Sequence, residues 1–200
     1  MKNKKTDTVL DFANKTGVIR SRDLNARGIP RVYLTRLKKR HLVEQIARGL
    51  YRKTGYRTSE YHSLVTVAKS NPNAILCLLS ALAFHKFTTQ SPSSVWIAID
   101  GKAHHPVAGP VKLRIVRFSG IALTSGIEQH TIEGVTVRVY NPAKTVADCF
   151  KYRNKIGLDV AIESLKECRH LRLCTNDDLW KYAKICRVWN VMRPYMEALG

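Results

Sequence analysis

Apolar positions in the first sixty residues come in short groups punctuated by glycine and proline, and their spacing predicts three helices followed by a hairpin. From Thr6 to Asn14 the helical spacing places Val9, Leu10 and Ala13 on one face, and Gly17 ends the segment. Ser21 is the expected cap of a second helix that runs to Arg27, where Gly28 breaks the chain again. Pro30 suits the first turn of a third helix because its missing N–H is not needed there, and Leu34 and Leu37 form that helix's core-facing pair. Residues His41–Ile46 and Gly49–Arg52 alternate as two short strands, joined at Ala47-Arg48-Gly49.

Beyond Thr54-Gly-Tyr-Arg-Thr58, a polar turn, the pattern changes. Two helices are expected, Glu60 to Lys69 with Tyr61, Leu64, Val65 and Ala68 inward, and Ala74 to Phe84, separated by the stop Asn71-Pro72-Asn73. Strand-like runs follow at Val95–Ile99, Val111–Arg117, Glu128–Ile132 and Val135–Tyr140. Pro106 and Pro110 mark the loop between the first two, and Glu133-Gly134 makes a hairpin of the last two. Helical spacing returns after Asn141-Pro142, near Ala143–Tyr152, Leu158–Cys168, Asn176–Cys186 and Val188–Leu199. The reading is α+β: an N-terminal winged helix-turn-helix over residues 1–57, then a mixed α/β domain over residues 58–200.

Charge sharpens this picture. The chain of 200 residues carries 34 Lys/Arg against 15 Asp/Glu, a net charge of +19, and such a field concentrates polyanions. Residues 1–60 hold 16 of those bases and 5 of the acids, so the head carries more than half of the excess. On the third helix the outward positions include Arg31, Thr35 and Lys38, spaced i, i+4 and i+7, while Arg36, Lys39 and Arg40 broaden the basic face and Arg48 tips the hairpin. Side chains of this kind meet guanine edges and phosphates, so double-stranded DNA is the expected partner, with Arg31, Thr35 and Lys38 in the major groove and Arg36, Lys39, Arg40 and Arg48 on the backbone. A Lys/Arg run on a helix is otherwise a solvated face; here two punctuated helices before it and a hairpin after it favour DNA.

Other classes fit less well. No apolar run reaches the roughly 18 to 20 residues of a spanning helix, and Met1-Lys-Asn-Lys-Lys5 leads into a polar helix, so no membrane partner is expected and the chain reads as cytoplasmic, on the nucleoid when bound to DNA. Five cysteines, Cys77, Cys149, Cys168, Cys174 and Cys186, form no CxxC and read as reduced structural thiols. The enzyme alternative is a metal-dependent nuclease behind a DNA-binding head. Asp100-Gly-Lys102 invites it, but Val111–Arg117 offers bases and no second carboxylate for Mg²⁺, and no nucleotide loop or nucleophile elbow is present. His104-His105 lack a third ligand for zinc, so no metal and no cofactor are expected. His85, at the end of an apolar helix, reads as structural, donating to that helix's last carbonyls or resting near the negative end of its dipole, and Trp96, Trp180 and Trp189 read as core or interface anchors, not a base-stacking platform.

Three segments carry a family resemblance: GVIRSRDLNARGIPRVYLTRL with ARGLYRK; ILCLLSALAFHKFTTQSP with VWIAID; and VRVYNPAKTVADCFKYRNKIGLDVAIESLKE. In these the chain resembles the AbiEi family of bacterial antitoxins and transcriptional regulators of type IV toxin–antitoxin systems. The resemblance implies a winged head that binds inverted repeats in the promoter of its own operon and represses it. It also implies a C-terminal antitoxin domain that counteracts a nucleotidyltransferase-like toxin without a stable complex. In the third segment Thr145, Asp148, Asp159 and Glu163 have two readings. One is a helix start with packing, Asp148 pairing a nearby base such as Lys144; the other is a polar antitoxicity site.

Overall fold

The computed structural model describes residues 4–56, 60–106 and 111–199, and by internal contacts the chain divides into two compact units. The first comprises Met1–Pro72 with His105–Lys112 and His130–Val137; the second comprises Asn73–His104, Leu113–Gln129 and Arg138–Gly200. The boundary expected between residues 57 and 58 lies outside the described residues, as does Pro110. The architecture is α+β, with a helix-turn-helix-like N-terminal region.

The first unit runs α1 (Lys4–Thr16), β1 (Val18–Arg20), α2 (Ser21–Asn25), α3 (Val32–Lys39), β2 (Val43–Ala47), β3 (Leu50–Lys53) and α4 (His62–Ser70). Strand β1 was not expected: three residues between Gly17 and a helix are too few to show a period of two. Antiparallel pairing with β3 makes it a strand, and the sheet order is β1-β3-β2. Helix α2 starts at the residue expected to cap it. Arg20 holds the cap position, its backbone N–H donating to Asp23 Oδ2 at 3.2 Å, while Ser21 is already helical and the helix stops at Asn25. Helix α3 starts two residues beyond Pro30, with Arg31 as its N-cap. Val9, Ala13, Ile19, Leu24, Ile29, Leu34, Leu37 and Val43 form one core, against which Leu10 packs half-buried.

The second unit contributes β4 (Ile75–Leu76), α5 (Leu78–Phe84), β5 (Val95–Asp100), β6 (Leu113–Phe118), α6 (Ile121–Thr124), β7 (Ile127–Ile132) and β8 (Val135–Tyr140), then α7 (Pro142–Lys151), α8 (Arg153–Ile156), α9 (Leu158–His170), α10 (Asn176–Ile185) and α11 (Trp189–Ala198). The expected helix Ala74–Phe84 is split: Ile75 and Leu76 pair antiparallel with β5, and Leu76 pairs parallel with Val139 of β8, so ladder hydrogen bonds override a helix-like apolar run. Sheet order is β6-β5-β4-β8-β7, with β5 and β6 parallel. Glu133 and Gly134 take positive φ, 49° and 70°, as the tight turn between β7 and β8 requires. The outer part of this hairpin, His130–Val137, groups with the first unit. A large core joins Leu78, Leu82, Ala98, Val116, Tyr140, Val146, Phe150, Leu165, Leu179 and Met192.

Side-chain positions follow the expectation in part. Trp96 and Trp189 pack half-buried against the core, but Trp180 is 45% exposed with Lys184 Nζ 3.6 Å above its ring. His85 is the C-cap of α5, at the negative end of its dipole, and bonds through Nε2 to the carbonyl of Tyr140 at the end of β8 at 2.8 Å. All five cysteines are free thiols, Cys168 and Cys174 lying 2.9 Å apart. No helix of the described residues is long and apolar enough to cross a membrane.

Because Leu34 is 1% exposed in a core of only eight buried residues, Leu34→Ala is expected to cost about 2–5 kcal/mol of stability. Urea unfolding of the full chain measures it, and a loss below about 1 kcal/mol contradicts the packing described.

Candidate nucleic-acid interface

Helix α3 has one buried edge and one bare one. Leu34 and Leu37, each 1% exposed, bind it to the core, while Arg31 and Lys38 at the flanks of that edge and Thr35 beyond it are all exposed. Arg36, Lys39 and Arg40 are exposed as well. Three details constrain these groups. The Arg36 guanidinium lies 5.5 Å from the Tyr33 ring; Lys38 Nζ donates to Gln45 Oε1 at 2.9 Å, tying α3 to β2; and Arg31, as N-cap, precedes the first helical turn. Val32, which the charge pattern did not single out, is 47% exposed on the same helix and offers an apolar group beside the cations.

Strands β2 and β3 meet in a turn whose Gly49 takes φ +74°, and Arg48 stands exposed there. Gly49 also brings the turn against α2: its carbonyl accepts from the N–H of Ser21 at 3.0 Å, and a Cβ on it would meet Ser21 Oγ at 3.4 Å. Not every base in the hairpin is free for a ligand. Arg52 is held by Glu44, with Nε and Nη2 donating to Oε1 at 2.8 and 2.6 Å. Sequence reasoning missed Arg20 and Arg22, whose positions beside a strand and a short helix carry no periodic signal. With Arg31 and Arg48 they line one concavity of about 240 Å³ in the first unit.

The second candidate group does not assemble into one surface. Thr145 and Asp148 are fully buried on α7, whereas Asp159 is exposed on α9 and Glu163 accepts through Oε1 from the N–H and hydroxyl of Thr89, both at 3.2 Å. Helix α7 is built around an interior ion pair. Asn141 caps it by accepting from the Lys144 N–H at 2.8 Å, Pro142 opens it, and Lys144 Nζ reaches both carboxylate oxygens of Asp148, at 2.7 and 2.6 Å. Both side chains have no exposure. The ammonium also sits 4.1 Å from the Tyr140 ring and 4.7 Å from that of Phe118, and Cys186 Sγ donates to Asp148 Oδ1 at 3.2 Å. Burial raises the Asp148 carboxyl above the ordinary carboxylate range, opposed by Lys144 beside it, and burial with the nearby Asp148 charge pushes the Cys186 thiol up to about 12. Thr145 Oγ1 donates to the Tyr140 carbonyl at 3.2 Å, so Lys144, Thr145, Asp148 and Cys186 each have a hydrogen-bond partner within the core.

The residues that invited a nuclease reading serve a turn. Asp100 Oδ1 accepts from the Lys102 N–H at 2.8 Å, and Arg117 Nη1 donates to the carbonyls of Asp100, Gly101 and Ala103 at 3.2, 2.8 and 3.0 Å. Among the described residues no group of three His, Cys, Asp or Glu side chains is placed to hold a metal ion.

Residues 7–52 match the family model of the AbiEi antitoxin transcriptional regulators, so the resemblance read from the sequence holds over that segment. The match runs from α1 into β3 and contains α3 and the β2–β3 turn. Among solved structures, the crystal structure of the RV2827C protein from Mycobacterium tuberculosis is similar, with a TM-score of 0.60 at 14% identity, over 91% of this chain and 72% of that one. At this identity the likeness is one of fold. No curated protein matches the chain in sequence.

Removing one member of the buried pair strands the other. Lys144→Met is expected to destabilise the chain by about 3–5 kcal/mol, and Lys144→Met/Asp148→Leu to recover most of that loss. Chemical unfolding of the three proteins checks this; a double variant as unstable as the single one contradicts it.

Proposed function

We propose that the chain is an antitoxin-type transcriptional repressor that binds duplex DNA through an N-terminal winged helix-turn-helix. In this reading residues 1–57 form the head, with β2 and β3 as its wing, and residues 58–200 form the antitoxin domain. The observation that carries it is the coincidence of the family match over residues 7–52 with the bare cationic edge of α3, whose orientation is imposed by buried Leu34 and Leu37. A helix so pinned presents Arg31, Thr35 and Lys38 to the major groove, while Arg36, Lys39, Arg40 and Arg48 meet phosphates and set register.

The target proposed is a pair of inverted repeats in the promoter of the chain's own toxin–antitoxin operon, which makes the repressor autoregulatory. The toxin is proposed to be nucleotidyltransferase-like and to be counteracted without a stable complex. For that activity the acidic groups offered at the surface are Asp159 and Glu163; Thr145 and Asp148 act through the fold of α7. The reading is of a regulator in the cytoplasm, acting on the nucleoid.

Binding to a promoter duplex is expected to fall steeply with salt, each neutralised phosphate contributing about 0.9 to the log–log slope. Lys39→Ala and Arg48→Ala should weaken promoter and scrambled duplexes alike, since both residues are assigned to the backbone. Fluorescence anisotropy across a salt series reads both effects. A flat salt response, or a loss confined to the promoter sequence, contradicts the assignment.

A further inference from the structure

Four arginines line the concavity of the first unit, contributed by separate elements. Arg20 is the cap of α2 and Arg22 lies in its first turn; Arg31 is the cap of α3; Arg48 tips the β2–β3 turn. The hydrogen bond from Ser21 to Gly49 fixes the turn against α2, so the convergence is built into the fold and is not a chance overlap of long side chains. Among the described residues no carboxylate lines the cavity. The acid nearest in sequence, Asp23, already accepts from the Arg20 N–H and from Lys69 Nζ at 2.8 Å.

Arg20 is the least solvated of the four. Its side chain is half-buried with Nη2 donating to the Ser70 carbonyl at 3.2 Å, and burial together with the charge of Arg22 lowers its hold on the proton. Like charges gathered around a recess repel one another, and an anion placed among them reverses the sign of that interaction. Planar guanidinium forks match the oxygens of a tetrahedral oxyanion, which they bind bidentately. A larger recess of about 410 Å³ in the second unit differs in carrying carboxylates, Asp177 and Glu197, beside Arg169 and Arg193, and Arg193 pairs with Glu197.

We propose that this concavity is a phosphate site in which Arg20, Arg22, Arg31 and Arg48 together seat one phosphodiester group of bound duplex DNA. The inference rests on the DNA-binding reading above and refines it. Arg31, by its spacing a base reader, becomes part of a backbone clamp at the start of α3, and base reading falls to Val32, Thr35 and Lys38 further along the helix. One linkage per half-site is thereby held more strongly than its neighbours, which fixes the register of α3 in the groove.

The test uses the full chain and Arg22→Gln/Arg31→Gln, a variant altered only at exposed positions and required to melt at the wild-type temperature. Anisotropy is measured on the promoter duplex and on a scrambled duplex of equal length. The expected loss is roughly tenfold and the same on both. A scan with single neutral methylphosphonate linkages should then find one position per half-site that weakens the wild-type protein and weakens the variant no further; this scan tests the site even without a variant. Unchanged affinity of the variant, a loss confined to the promoter sequence, or additivity with every methylphosphonate position overturns the site while leaving DNA binding intact. Saturation by inorganic phosphate at constant ionic strength, with no sensitive linkage, assigns the recess to free phosphate and also overturns it. A wild-type protein that binds neither duplex defeats the DNA reading itself.

Discussion

Two leucines one turn apart govern what the first unit can present to a partner. Leu34 and Leu37 fit into a small core made by α1, β1, α2 and β2, and with them inside, the remaining positions of α3 have their directions decided. A helix rotated by a third of a turn would bury Thr35 or Lys38 and expose a leucine, which the cost of an unpaired buried ammonium forbids. The cationic edge is thus a consequence of apolar packing. Charge does not shape the head; packing does, and charge is then displayed on what packing leaves outside.

The second unit solves a different problem with opposite means. Lys144 and Asp148 are interior, so their value lies in satisfying each other within an otherwise apolar core of strands and helices, with Tyr140, Phe118 and Cys186 completing the surroundings. Gly126, at φ +73°, lies so close to Lys144 that a Cβ would come within 2.9 Å of its side chain, which fixes the strand entrance against α7. An ion pair so enclosed specifies one arrangement of α7 more than it adds stability.

Much of this was legible from residue order alone. The helix pair around Gly28, the hairpin at Arg48, the hairpin at Glu133-Gly134 and the four long C-terminal helices follow from periodicity and turn chemistry. Strands β1 and β4 were not legible, because three and two residues carry no period and only pairing with β3, β5 and β8 defines them. The i, i+4 relation of Lys144 and Asp148 suggested a pair but not its complete burial, since amphipathic patterning does not separate an interior polar pair from a surface one. Arg20 and Arg22 were missed for a related reason: their meeting with Arg31 and Arg48 is a tertiary event, set by the Ser21–Gly49 hydrogen bond.

The central claim is that the exposed cationic side of α3, left outside by the packing of Leu34 and Leu37, is the surface that meets duplex DNA. Lysine acylation of the full chain, read residue by residue by mass spectrometry with and without promoter duplex, addresses it directly. The account predicts that duplex slows modification of Lys38 and Lys39 and leaves exposed Lys166 and Lys181 at their free rates. Protection of Lys166 and Lys181 with Lys38 and Lys39 still reacting as in the free protein would contradict it.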